Sequence, residues 1–127
     1  MLYLVGLGLN EREISLESLE ALKKCKKVYL ESYTIDLPYS IKKLEEIIKK
    51  KIISANREFI ESLKFMDEAK KINLALLIYG SPLFATTHIT IIQEAKKRKI
   101  KLKVIHNASI FDAVAETGLQ LYKFGKI

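Results

Sequence analysis

The stretch Leu74-Ala75-Leu76-Leu77-Ile78-Tyr79-Gly80-Ser81-Pro82-Leu83-Phe84-Ala85-Thr86-Thr87-His88 decides the fold. The run from Ile72 to Ile78 is nearly all apolar, without alternation, which is the pattern of a strand covered on both faces in the middle of a parallel sheet. Gly80 and Pro82 end it, and helical spacing resumes from about Thr87 to Arg98. Parallel neighbours need such a crossover connection, so one buried strand followed by one helix already implies more strands beside it.

Working outward, the same alternation recurs. Toward the N-terminus, Leu2 to Val5 is a short apolar run stopped by Gly6 and Gly8. Ser15 is placed to cap a helix reaching about Lys24, with Leu16, Leu19 and Leu22 on one stripe. Val28 to Leu30 reads as a second strand, and Ser32 to Tyr39 as a loop closed by Pro38. Ser40 caps a second helix striped by Ile41, Leu44, Ile47 and Ile48, and Ile52-Ile53 reads as a short strand. Phe59, Ile60, Leu63 and Met66 predict a single third helix ending near Lys71. Toward the C-terminus, Leu102 to Ile105 is a strand, His106-Asn107-Ala108 a turn, and a last helix runs through about Thr117. The expected class is α/β: a three-layer parallel sheet with helices on both faces, in one domain over residues 1–127.

Composition agrees. With 127 residues, 49% apolar, 29% charged, five Gly and two Pro, disordered and collagenous classes are excluded. The longest apolar run, Leu74 to Tyr79, is far below the ~20 residues that cross a bilayer. Met1 to Leu9 lacks the basic region of a secretory signal, so the expected compartment is the cytoplasm and no membrane partner is expected. Cys25 has no internal partner and reads as a partly buried structural residue. The net charge of +7 comes almost wholly from lysines clustered near helix ends, where they suit the helix dipole. An arginine-poor surface without interleaved aromatics lacks the chemistry of base recognition, so no specific nucleic acid is expected. The Ile, Lys and Glu bias with only two Gln resembles thermophile usage.

In open parallel sheets the ligand cleft lies beyond the carboxyl ends of the strands. That selects the loops Gly6 to Asn10, Gly80 to Thr87 and His106 to Ser109. Gly6-Leu7-Gly8 opens like a dinucleotide fingerprint, but Glu11 stands where its third glycine belongs and would repel a pyrophosphate. Glycines there still let a backbone approach an uncharged or cationic ligand. Glu31, after the second strand, is a candidate ribose contact. The N–H groups of the Gly80 loop suit a carboxylate, the alternative being a plain turn capped by Thr86 or Thr87. Ser109 reads as a helix cap at the cleft. Neither His88 nor His106 has a partner at metal-ligand spacing, so no metal is expected. His106, at a strand's carboxyl end, is a candidate proton acceptor. Ser81, His106 and Asp112 lack the nucleophile elbow of a hydrolase.

Met1-Leu2-Tyr3-Leu4-Val5-Gly6-Leu7-Gly8-Leu9, the Gly80 to His88 stretch and Val104-Ile105-His106-Asn107-Ala108-Ser109-Ile110 together resemble the diphthine synthases, the archaeal and eukaryotic methyltransferases of diphthamide biosynthesis. The likeness continues through Thr117-Gly118-Leu119-Gln120-Leu121-Tyr122 to Phe124-Gly125-Lys126. It implies the tetrapyrrole-methylase fold, in which S-adenosylmethionine lies between two α/β domains, and this chain resembles the first. It further implies methyl transfer to the amino group of a modified histidine on the translocating elongation factor. Carried over by motif, Leu9, Ser81, Phe84, Ser109 and Ile110 border the cofactor, an archaeal source is expected, and no catalytic side chain is assigned. Ser81 departs from the Gly-Asp-Pro usual in the family, removing a carboxylate expected beside the cofactor. The face toward a second domain is expected to be apolar, favouring a second-domain chain or self-association. Rival readings are a tetrapyrrole or RNA methyltransferase of the same fold, or a non-catalytic assembly module.

Overall fold

In the computed structural model, which describes residues 1–84 and 86–123, five parallel strands form one sheet in the order β3-β2-β4-β1-β5. Ala85 and the Phe124-Gly125-Lys126 end of the resemblance lie outside the described residues. The strands are β1 (Leu2–Gly6), β2 (Lys27–Glu31), β3 (Ile53–Ala55), β4 (Leu74–Ile78) and β5 (Leu102–Ile105). The helices are α1 (Leu16–Lys23), α2 (Ile41–Ile48), α3 (Arg57–Ser62), α4 (Phe65–Ala69), α5 (Ile89–Lys97) and α6 (Ile110–Ala115). Every residue of β1 and β4 is buried, as two-sided cover requires.

The period of two along each strand sorts its side chains onto two cores. Leu2, Leu4, Leu74, Leu76, Ile78 and Tyr29 face one way and meet Ile60 of α3, Phe65, Met66 and Ala69 of α4, and Ile91 and Ala95 of α5. Tyr3, Val5, Ala75, Leu77, Val28 and Leu30 face the other way and meet Ala21 and Leu22 of α1 and Leu44 and Ile48 of α2. This is the expected three-layer arrangement. Cys25 is fully buried rather than partly so, its thiol donating to the Ala21 carbonyl at 3.3 Å.

Two expectations are corrected. The third helix is broken into α3 and α4 because Leu63 adopts the left-handed conformation at φ 58° and donates its N–H to Ile60, ending α3 without a glycine. The break lets Ile60, Phe65 and Met66 all reach the core. Neither Thr86 nor Thr87 caps α5 through its side chain: the cap position is His88, and the Thr87 carbonyl accepts from Thr90 instead. Ser15, Ser40 and Ser109 cap their helices as expected. α6 has a complete capping box, yet none of its residues is buried. Its own contacts therefore hold it far less firmly than burial of ~1.5–3 kcal/mol per large side chain holds α4.

Candidate functional site

β4, β1 and β5 are neighbours in the sheet, so their carboxyl ends at Ile78, Gly6 and Ile105 lie side by side. The three loops that follow must then converge on one rim, and they do. Leu7 donates to the Ile78 carbonyl at 2.9 Å, and beyond it Gly8 and Gly80 exchange backbone hydrogen bonds of 3.1 and 2.8 Å. Both glycines have positive φ, 71° and 76°, which frees the two backbones to turn toward each other. The third loop joins through Asn107, whose amide donates to the carbonyls of Gly6 at 3.1 Å and Glu13 at 2.9 Å. Gly6 has no room for a side chain: a Cβ there would lie 2.9 Å from both Asn107 Cβ and the Gly80 carbonyl oxygen. Tyr79 donates its hydroxyl to the Leu9 carbonyl at 2.8 Å.

The candidate residues distribute over this junction. Ser81 and Ser109 are buried, at 7% and 3% exposure, and Ser109 Cα lies 3.8 Å from where a Gly80 Cβ would stand. Leu9 is half-buried, its N–H held by the Glu13 carboxylate. Phe84 and Ile110 are exposed, and Phe84 meets Phe111 edge-on at 5.7 Å, a second contact between the loop after β4 and the start of α6. His106 is exposed at the end of β5.

Glu31 is not placed as a ribose contact. It is buried and its carboxylate meets His88 Nε2 at 2.5 Å, each side chain 3% exposed. Burial pushes the Glu31 carboxyl up, but the hydrogen bonds from His88 and Thr34 outweigh it and hold the group below the usual carboxylate value. Elsewhere around the first loop, Glu11 is lowered chiefly by its ion pair with Lys43 at 2.9 Å. Burial, with Tyr79, Glu11 and Glu13 nearby, pushes the Tyr39 hydroxyl up to about 12.

Residues 6–10, 79–84, 86–88 and 106–109 contain no Lys or Arg. The junction therefore combines two buried serines, a backbone without Cβ atoms and an apolar edge, with Glu11, paired to Lys43, and Glu13, bonded to the Leu9 N–H, just beyond the first loop. Without a cation in the three loops, that lining opposes a polyphosphate. Among the described residues no cluster of His, Cys, Asp or Glu could hold a metal ion, and no helix is long and apolar enough to cross a membrane.

Sequence reasoning missed Asn107 and Tyr79 as clamps, because each acts across a sequence distance that no local pattern reports, and it missed Glu13, whose carboxylate folds back only four residues to the Leu9 N–H. Glu31 carried a usable signal: two residues after Tyr29 it continues that strand face into the core, where a carboxylate requires a partner.

The chain is 46% identical over 129 residues to diphthine methyl ester synthase of Schizosaccharomyces pombe, covering 99% of this chain and 46% of that protein. It is 44% identical over 133 residues to diphthine synthase of Staphylothermus marinus, covering 99% of this chain and 50% of that protein. A crystal structure of a diphthine synthase superposes with a TM-score of 0.90 at 40% identity, over 98% of this chain and 51% of the other. The chain thus spans about half the length of these relatives, and with eukaryotic and archaeal matches at similar identity the comparisons do not favour an archaeal source. Residues 1–127 match the tetrapyrrole (corrin/porphyrin) methylases throughout, and the chain belongs to that family.

Proposed function

We propose that this chain carries the S-adenosylmethionine-binding loops of a diphthine-forming methyltransferase whose substrate is the translocating elongation factor. The observation that supports it best is the junction of Gly8, Gly80 and Asn107, which holds three loops together at the carboxyl end of the sheet. Leu9, Ser81, Phe84, Ser109 and Ile110 are the proposed cofactor contacts: the two serines as hydroxyl partners, and Leu9, Phe84 and Ile110 as apolar walls. Adenosylmethionine supplies a methyl group on a positively charged sulfur that is already activated for transfer.

Little acid-base chemistry is then asked of the protein. The loops contribute by orienting the donor, and rate follows from alignment with the acceptor at about 3 Å. An amine acceptor must be unprotonated, and exposed His106 is the proposed proton acceptor on the rim. The name of the Schizosaccharomyces pombe relative adds a methyl ester product, for which a carboxylate oxygen is the nucleophile and needs no base. A mass spectrum of the modified factor separates the two.

The second half of the relatives' length is the proposed opposite wall of the cleft, with residues 1–127 as the first domain. Exposed large apolar side chains support this: Phe84, Ile110, Leu121 and Tyr122 are 56%, 59%, 58% and 80% exposed. Such exposed apolar side chains invite a second-domain chain or self-association. The proposed compartment is the cytoplasm, where the factor works, with neither membrane nor specific nucleic acid as partner. Calorimetry with adenosylmethionine on the chain alone, then with a chain supplying the second half, tests the reading. Weak binding alone and tight binding together is the expected result; tight binding alone, or none with both halves, contradicts it.

A further inference from the structure

The loop after β4 runs between two anchors. At one end Gly80 is bonded to Gly8. At the other stands His88, whose imidazole makes no capping bond to α5 and instead reaches the Glu31 carboxylate at the end of β2. The same carboxylate accepts the Thr34 N–H at 3.2 Å, so one side chain ties the loop after β2 to the far end of the loop after β4. Between the anchors, among the described residues, the loop's backbone bonds are a long 3.4 Å bond from Phe84 to Ser81 and, at its far end, the Thr87 carbonyl accepting from Thr90 of α5.

A buried hydrogen-bonded pair of polar side chains is a weak source of stability, because desolvation offsets most of the attraction and an apolar pair of the same volume would hold the helix as well. What it adds is direction, since an imidazole and a carboxylate meet along one line and an apolar contact slides. We infer that Glu31 and His88 are a positioning pair that fixes Ser81 to Phe84 and Thr86 to Thr87 in the ligand-receiving shape, acting through Ser81 and Phe84 without touching the ligand. The inference rests on the reading of that loop as a cofactor contact.

Amide hydrogen exchange and adenosylmethionine titration on the full chain, compared for wild type, His88→Ala, His88→Gln and Glu31→Gln, test it. Glutamine at 88 restores an N–H at similar reach. The expected result is exchange about tenfold faster at the amides of Ser81, Leu83, Phe84, Thr86 and Thr87 in His88→Ala, with β1 and β4 unchanged and recovery in His88→Gln. Ligand affinity, where wild type binds, falls and recovers in parallel. Glu31→Gln keeps volume and an acceptor, so it decides the matter if His88→Ala does not fold: loop-selective acceleration upholds the pair. Acceleration spread equally over β1, β4 and the loop, or a loop unchanged in every variant, overturns it. Loop-selective exchange in a chain that never binds adenosylmethionine upholds the pair and removes the ligand reading. Wild-type binding with an unchanged loop removes the pair and keeps that reading.

Discussion

Gly8 and Gly80 form an isolated antiparallel bridge within a sheet whose strands are otherwise all parallel. The reversal arises because both loops turn back over the strand ends at positive φ, and it converts two neighbouring turns into one surface.

Gly8→Ala is expected to break that surface. A Cβ at Gly8 would lie 2.5 Å from the Glu13 carboxylate and 2.8 Å from Asn107 Oδ1, in addition to the cost of φ 71°. A loss of about 1–3 kcal/mol follows, read from the urea midpoint at constant slope. Gly118→Ala is the control: its φ is 86° but a Cβ would meet nothing within 4 Å, so only the smaller conformational cost remains.

Asn107→Ala should cost about 1–3 kcal/mol, because the carbonyls of Gly6 and Glu13 both lose their donor. Asn107→Asp should cost more, since it turns a carboxylate oxygen toward a carbonyl where an N–H stood. Thermal melts of the two variants check the order.

Acid should weaken the fold through Glu31. Its carboxyl is held below the ordinary value of 4.5, so the stability it adds is complete above that value and is lost as pH falls through the lower folded one. Tyr33, which stands near Glu31, is pushed up to about 12, chiefly by burial, and so stays neutral throughout that range. Glu68 is also lowered, chiefly by Lys27, and adds a parallel loss. The expected observation is a difference between wild type and Glu31→Gln that is constant near neutrality and shrinks below about pH 4.5. A difference independent of pH would contradict it.

Phe84 and Phe111 hold each other among the exposed apolar side chains, so Phe111→Ser should forfeit about 0.5–1.5 kcal/mol of pair energy locally. Its larger effect is expected on the proposed self-association: sedimentation velocity should show wild type shifting to a larger species with concentration and the variant staying monomeric.

Ser81→Asp reinstates the carboxylate usual at this place in the motif. Ser81 is 7% exposed, so an ionised group there should lower the unfolding midpoint without ligand and raise affinity for a sulfonium by about 1–3 kcal/mol. Parallel melts and titrations separate the two effects.

Much of the fold was legible because β1 and β4 are apolar throughout and glycine or serine marks the turns at Gly6, Gly80, Ser15, Ser40 and Ser109. The break at Leu63 was not, since a leucine in left-handed conformation leaves no compositional trace and is imposed by packing of Ile60 and Phe65. The convergence of the loops followed from strand direction alone. Its fastening by Asn107, Tyr79 and Glu13, and the closure of Glu31 onto His88, depend on which strands are neighbours. Periodicity within one segment does not encode that.

The most direct test is a titration of the isotope-labelled chain with adenosylmethionine, followed by amide chemical shifts. The account requires shifts, even if saturation is weak, concentrated at Leu9, Ser81 to Phe84, and Ser109 to Ile110, with the lysine-rich opposite rim silent. Silence at those three turns, or changes centred on Lys24, Lys26 and Lys70, would contradict it.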